Sequence, residues 1–188
     1  MSIKEYIGGQ FADPEGLGGL ACAKFMNIFN AEHYRAVKKF VCKLDGARIL
    51  DIGFGNGVTI KKLSKSINAK FYGVDISADM VEKAKRENRD GVNTNKVILQ
   101  QGKAEELPYN DDFFDTVYTV NTIYFWEDTA KVLDEVRRVL KDGGNFICTF
   151  YTKSYLDKLP YCDTGFDKFT PQQVRSMARA VSYTHLTL

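Results

Sequence analysis

Long apolar runs are missing from this chain of 188 residues: nowhere do about 18 consecutive apolar residues occur, the least that a membrane-spanning helix needs. Residues 1–13 also lack the basic stretch and apolar run of a secretory signal. These two absences argue for a cytoplasmic protein with no membrane partner. An excess of one charge is missing as well. Lys and Arg number 26 against 24 Asp and Glu, a balance that gives no reason to expect nucleic acid. Histidine is reduced to His33 and His185, and the cysteines Cys22, Cys42, Cys148 and Cys162 show no C-x-x-C spacing. No metal site is therefore expected, and the thiols read as reduced and mostly buried. A small-molecule partner is what these exclusions leave.

What is present suits one globular domain, with 44% hydrophobic and 27% charged residues. From Arg48 onward, short β-rich runs alternate with helical patterns: R-I-L-D-I, K-F-Y-G-V-D, K-V-I-L-Q-Q, F-D-T-V-Y-T-V and N-F-I-C-T-F-Y. That rhythm predicts an α/β domain with a doubly wound, mainly parallel sheet. The runs are nearly continuous in apolar residues, as strands covered on both faces are. Between them, Ser77 is placed to start one helix and Thr170-Pro171 another. A helix over 129–140 carries Val132, Leu133, Val136, Val139 and Leu140 on one stripe, and K-D-G-G stops it.

Ahead of the first strand, residues 20–29 and 31–44 read as two helices, with Asn30 as N-cap between them. The segment Gly8 to Gly19 holds five glycines and a proline. Residues 1–45 are thus expected to form an N-terminal helical extension or lid, and 46–180 the ligand-binding domain. The last eight residues, V-S-Y-T-H-L-T-L over 181–188, resemble the translated end of a sequencing adapter and are expected to be a non-native tail.

The strongest chemical signal is I-L-D-I-G-F-G-N-G, Ile49 to Gly57, an apolar strand entering a loop with glycine at 53, 55 and 57. Glycine lets backbone come close to a ligand and adopt a positive φ where strand turns into helix. The second predicted strand ends at Asp75, a carboxylate placed where open α/β sheets bind ligands and suited to accept from both ribose hydroxyls. Its alternative use is as a helix cap, a role that Ser77 fills more naturally. A dinucleotide fingerprint has G-x-G-x-x-G, whereas here Val58 stands at the third glycine's place, which disfavours NAD(P).

With Asp51 included, D-I-G-F-G-N-G resembles the glycine motif of class I S-adenosylmethionine-dependent methyltransferases. The resemblance continues in order through Asp75, G-K-A-E-E-L-P-Y, F-F-D-T-V-Y-T-V-N and E-V-R-R-V-L-K-D-G-G, covering about Leu44 to Tyr151. It implies a Rossmann-like methyltransferase fold with S-adenosylmethionine as cofactor. Asp51, Gly53, Gly55 and Gly57 would border its methionine part, Asp75 the ribose, and Ala104, Glu105 and Leu107 the adenine, with Ile76 and Asn121 also binding the cofactor. Where the family often has an acid after the third strand's glycine, this chain has Lys103, which can only donate. Backbone groups or Gln101 would then meet the adenine amine, and Lys103 reads as a solvated lysine. The family's sheet usually closes with an antiparallel hairpin for which no sequence follows 170–180, so the sheet is expected to stop at five strands.

The fourth strand leads into Asn121, Tyr124 and an aromatic stretch, at the edge where such enzymes hold the acceptor. Asn121 and Tyr124 match the outer members of an Asn-Pro-Pro-Tyr motif without its prolines, and a buried loop explains them equally well. Methyl transfer is an in-line displacement that positioning can largely supply. If a base is used, His33, Tyr34 and Tyr124 are the candidates. The reaction class expected is methyl transfer to a small-molecule acceptor. An NAD(P)-dependent oxidoreductase and a non-catalytic nucleotide-binding module are the alternatives. None of these motifs encodes an oligomeric state.

Overall fold

Strands that are apolar at successive positions need cover on both faces, and the structure supplies it. The computed structural model describes residues 31–41, 44–159, 162 and 165–180. Five strands, β1 (Arg48–Ile52), β2 (Lys70–Asp75), β3 (Val97–Gln101), β4 (Phe114–Val120) and β5 (Leu140–Thr149), form one sheet in the order β3-β2-β1-β4-β5. All four pairings are parallel. The helices are α1 (Ala31–Val41), α2 (Val58–Ser66), α3 (Ala78–Glu87), α4 (Arg89–Asn93), α5 (Thr129–Val139), α6 (Lys153–Leu156) and α7 (Pro171–Ala180).

Alternate residues of the same strand feed two different cores. Ile49, Phe71, Val97, Tyr118 and Ile147 pack with Val37 and Val41 of α1, Ile60 and Leu63 of α2 and Val81 and Ala84 of α3. Leu50, Tyr72, Val117, Phe146 and Cys148 pack with Val132, Leu133 and Val136 of α5 and Val174 of α7. This is the doubly wound α/β arrangement expected from the sequence. Fully burying an aliphatic or aromatic side chain contributes roughly 1.5 to 3 kcal/mol, so both clusters are needed to hold the sheet flat between its helices.

Helix starts follow local chemistry. Asp128 caps α5 by accepting from the Lys131 amide at 3.0 Å. At α7, Thr170 Oγ1 accepts from the Gln173 amide (3.3 Å) while Gln173 Oε1 accepts from the Thr170 amide (2.8 Å), a reciprocal box. Ser77 differs from expectation: its side chain makes no cap bond. The K-D-G-G segment also differs. β5 begins at Leu140, directly after α5, and the register on β4 jumps from Phe114↔Leu140 to Thr116↔Asn145. Gly143, at φ 75°, turns that segment into a bulge within the strand rather than a loop before it.

The predicted helix over 20–29, its neighbour's cap at Asn30, the glycine-rich approach and the tail over 181–188 lie outside the described residues. Of the four cysteines, Cys148 and Cys162 are described; both are buried and neither is in a disulfide. Among the described residues no helix is long and apolar enough to cross a membrane, and no group of side chains could hold a metal ion.

Candidate active site

The strand order reverses between β1 and β4, so a crevice opens at their C-terminal ends. Into it runs the loop Gly53–Gly57, whose glycines all have positive φ: 71°, 54° and 72°. Each serves a different purpose. A Cβ on Gly53 would collide with the Thr122 side chain, so this glycine lets the loop lie against the exit of β4. A Cβ on Gly57 would lie 2.7 Å from both Ala84 Cβ and Asn88 Nδ2. Gly57 thereby presses the start of α2 onto α3, and Asn88 Nδ2 donates to its carbonyl at 3.1 Å. The helix-packing role of a fingerprint's third glycine thus falls one residue before Val58. Gly55 alone faces open space, with nothing within 4 Å of a built Cβ. That is the place where a ligand can approach the backbone.

Asp75 ends β2 and is only 7% exposed. Its Oδ2 accepts from the Gly55 amide at 2.7 Å and its Oδ1 from the Ser77 amide at 3.0 Å. One carboxylate therefore fixes both the glycine loop and the entry to α3, doing part of what the sequence assigned to Ser77. An ionised carboxylate has about four acceptor positions, so holding two amides is compatible with also accepting from hydroxyls.

Asp51 sits between Gly73 and Tyr118 in the sheet register. Burial pushes its carboxyl up to about 8, assisted by the charge of Asp75 and opposed by the Tyr118 hydroxyl. That hydroxyl is close enough to favour the ionised form yet reaches no partner in full hydrogen-bond geometry. Burial and Asp51 in turn push the Tyr118 phenol far up, with a smaller contribution from Tyr34. Tyr34 packs against this inner cluster.

The adenine-side residues lie on the segment between β3 and β4. Ile76, 46% exposed, is one of few large apolar side chains facing solvent. Its carbonyl accepts from Gln101 Nε2 at 2.9 Å, so the Gln101 donor is engaged with the end of β2. Gly102 donates to the Asp75 carbonyl at 3.0 Å. Lys103 pairs with Glu127 at 3.3 Å, both well exposed, an arrangement worth little. Glu105 Oε1 accepts from the Glu127 amide (3.0 Å), Ala104 packs partly against the core, and Leu107 is buried within it. The Leu107 side chain therefore faces the core, and its amide and carbonyl are bonded to Glu135 and Arg138.

On the other side of the crevice, Asn121 follows β4 with φ 58°, a left-handed conformation unusual for a residue with a side chain. Its amide donates to the Thr149 carbonyl at 2.8 Å. Its Oδ1 accepts from the Tyr124 hydroxyl (2.9 Å) and from the Tyr151 amide (3.2 Å). The same hydroxyl accepts from the Tyr151 amide, and its single proton can go to the Tyr151 carbonyl at 3.3 Å as the alternative to Asn121. His33, on α1, meets the Tyr151 ring edge-on at 4.6 Å, and Tyr151 stacks on Tyr155 at 4.6 Å. Asn121, Tyr124 and His33 thus converge on Tyr151, a residue no local sequence signal marked. Burial pushes the Tyr124 phenol far up, so the protonated form is favoured. Burial also lowers the His33 imidazole, against a smaller opposing effect of Glu32, leaving it neutral at pH 7.

A methyltransferase-domain family model matches residues 50–148 of the chain. UbiE of Proteus mirabilis, a ubiquinone/menaquinone biosynthesis C-methyltransferase, is 31% identical over 132 residues, covering 67% of this chain and 53% of that protein. YcgJ of Bacillus subtilis, an uncharacterized methyltransferase, is 36% identical over 132 residues, covering 63% of this chain and 51% of its own length. Its crystal structure superposes with a TM-score of 0.68 at 28% identity, over 80% of this chain and 68% of that one. Phosphoethanolamine N-methyltransferase 2 of Haemonchus contortus, in complex with S-adenosyl-L-methionine, shares the fold: TM-score 0.68 at 23% identity, over 80% of this chain and 36% of that one. The chain spans about half the length of the curated relatives it matches.

Proposed function

The chain belongs to the class I S-adenosylmethionine-dependent methyltransferase family, and on that premise we propose that it transfers a methyl group to a small-molecule acceptor held at the C-terminal ends of β4 and β5. The observation that carries the cofactor half of this reading is Asp75, whose carboxylate joins the Gly55 and Ser77 amides at the C-terminal end of β2, one strand from the switch point. The open space above Gly55 gives the cofactor backbone to lie on. In our assignment Gly53, Gly55, Gly57 and Asp51 border the methionine part and Asp75 takes the ribose hydroxyls. Ile76 offers an apolar face to the base, with the Ala104–Glu105 backbone opposite.

When bound, the cofactor supplies an electrophilic methyl group on a sulfonium. The protein's part is to place a nucleophile in line with it and keep water out, effects that alone can contribute about 7 to 11 kcal/mol. We assign the acceptor's wall to Tyr151, Tyr155, Phe125 and Phe166, which contact one another or their neighbours ring to ring. Asn121 and Tyr124 hold that wall through the Tyr151 peptide, so their role is structural support. If the acceptor sheds a proton, neutral His33 is the group beside Tyr151 able to take it. We place the reaction in the cytoplasm, in keeping with the buried Cys148 and Cys162, neither of which is in a disulfide.

The test is turnover with methyl-labelled S-adenosylmethionine against a panel of phenolic and quinol rings, amines and small acids. Label in a small-molecule product, absent with Asp75→Ala, is the expected result. Binding of S-adenosylhomocysteine without transfer to any member of the panel would favour the non-catalytic alternative.

A further inference from the structure

Between β3 and β4 the chain runs from Gly102 to Phe113 without regular structure of its own. Such a segment must have its backbone groups satisfied from elsewhere. One helix turn of α5 does this. Glu135 Oε2 accepts from the Leu107 amide at 2.7 Å, while Glu135 Oε1 and Oε2 accept from Arg138 Nε and Nη2, each at 2.7 Å. The guanidinium then donates to the Leu107 carbonyl (2.9 Å), the Tyr109 carbonyl (2.7 Å) and Asp111 Oδ1 (2.9 Å). Leu107 has both its amide and its carbonyl bound by this one ion pair. The Glu135 side chain is 18% exposed and that of Arg138 32%, whereas Asp111 is 73% exposed, so the carbonyl bonds carry the contact. The Arg138 guanidinium, together with the Leu107 amide, holds the Glu135 carboxyl below its usual range despite burial. The upstream end of the segment is fixed independently, where the Gly102 amide meets the Asp75 carbonyl at 3.0 Å. Ala104 and Glu105 form the bow between these two anchors.

We infer that the Glu135–Arg138 pair is a positioning device that sets the adenine-side wall of the cofactor site and so its selectivity for the base. This rests on the cofactor reading above, in which the Ala104–Glu105 backbone meets the adenine. The planar five-donor fork of Arg138 is what allows one side chain to span two carbonyls and a carboxylate; lysine supplies only a point charge. Both residues bind the loop at Leu107 and Tyr109, and it is through the loop that they act.

The experiment is calorimetric titration of the full chain with S-adenosylhomocysteine and with S-inosylhomocysteine, which carries hypoxanthine in place of adenine. The wild type binds the adenine compound more tightly. Arg138→Met keeps the apolar stem and removes the fork; it is expected to weaken S-adenosylhomocysteine about tenfold and to bring the two affinities toward equality. Arg138→Lys falls between, and Glu135→Gln, which keeps size and one acceptor, gives the same loss of base selectivity should Arg138→Met not fold. Wild-type selectivity in either folded variant overturns the inference, because loosening that lowered both affinities alike or neither would be a stability effect only. Failure of the wild type to bind S-adenosylhomocysteine at all would instead overturn the cofactor reading beneath it.

Discussion

The two sides of the crevice are built by different means. On the β1–β2 side the geometry is set by backbone: three glycines at positive φ and one carboxylate binding two amides. On the β4–β5 side it is set by side chains, with Asn121 and Tyr124 bonded to the peptide of Tyr151. Backbone geometry depends on residue type at fixed local spacing. Side-chain networks depend on which distant residues the fold brings together. The first construction leaves its ligand the open space at Gly55, while the second closes on itself and leaves aromatic faces.

The difference can be sharpened by substitution. On the backbone side, Gly57→Ala should cost roughly 3 to 4 kcal/mol of stability, combining a left-handed Cβ with overpacking against Ala84. Gly55→Ala, with nothing near its Cβ, should cost only about 1 to 2 kcal/mol while weakening S-adenosylhomocysteine. Denaturant melts and titrations of the pair separate the two effects, and equal destabilisation would break the distinction drawn between them.

Asp51 gives a pH signature. Its carboxyl stands at about 8 in the folded chain against 3.8 ordinarily, so the folded state holds the proton more tightly. The contribution of Asp51 to stability is then greatest below about pH 4 and falls as pH rises toward 8, by roughly 3 kcal/mol between pH 5 and 8. Asp51→Asn removes this slope, so the melting temperature of the variant should gain on the wild type as pH rises. Parallel curves would mean that Asp51 titrates normally.

Asp75→Ala should weaken S-adenosylhomocysteine by roughly 1 to 3 kcal/mol, the scale for losing a charged hydrogen-bond partner. Unchanged affinity would remove Asp75 from the site. On the side-chain half, Tyr124→Phe should cost about 1 kcal/mol of stability by leaving the Tyr151 peptide short of a partner, with cofactor affinity unchanged. A loss of affinity there would show that the two halves are coupled.

The same contrast explains what could be read in advance. The five strands and the doubly wound sheet were legible because continuous apolar runs have one use in a parallel sheet. The glycine loop and Asp75 were legible because their spacing is local. Tyr151 was not, since its partners Asn121 and Tyr124 lie 30 and 27 residues earlier. Glu135 and Arg138 are three apart and visible as a pair, but nothing local says that their targets are the carbonyls of Leu107 and Tyr109. Ser77 was given a cap that Asp75 partly provides, because both residue types suit that place. K-D-G-G was read as a stop because glycine serves helix ends and strand bulges alike.

The central claim is that the backbone side of the crevice binds S-adenosylmethionine, and thermal unfolding with S-adenosylhomocysteine, with NAD and with neither tests it most directly. A native-state ligand at about 100 times its dissociation constant adds ~2.7 kcal/mol, a rise of roughly 5 to 10 °C for a domain of this size. The account predicts that rise with S-adenosylhomocysteine alone; a rise with NAD, or none with either, would contradict it.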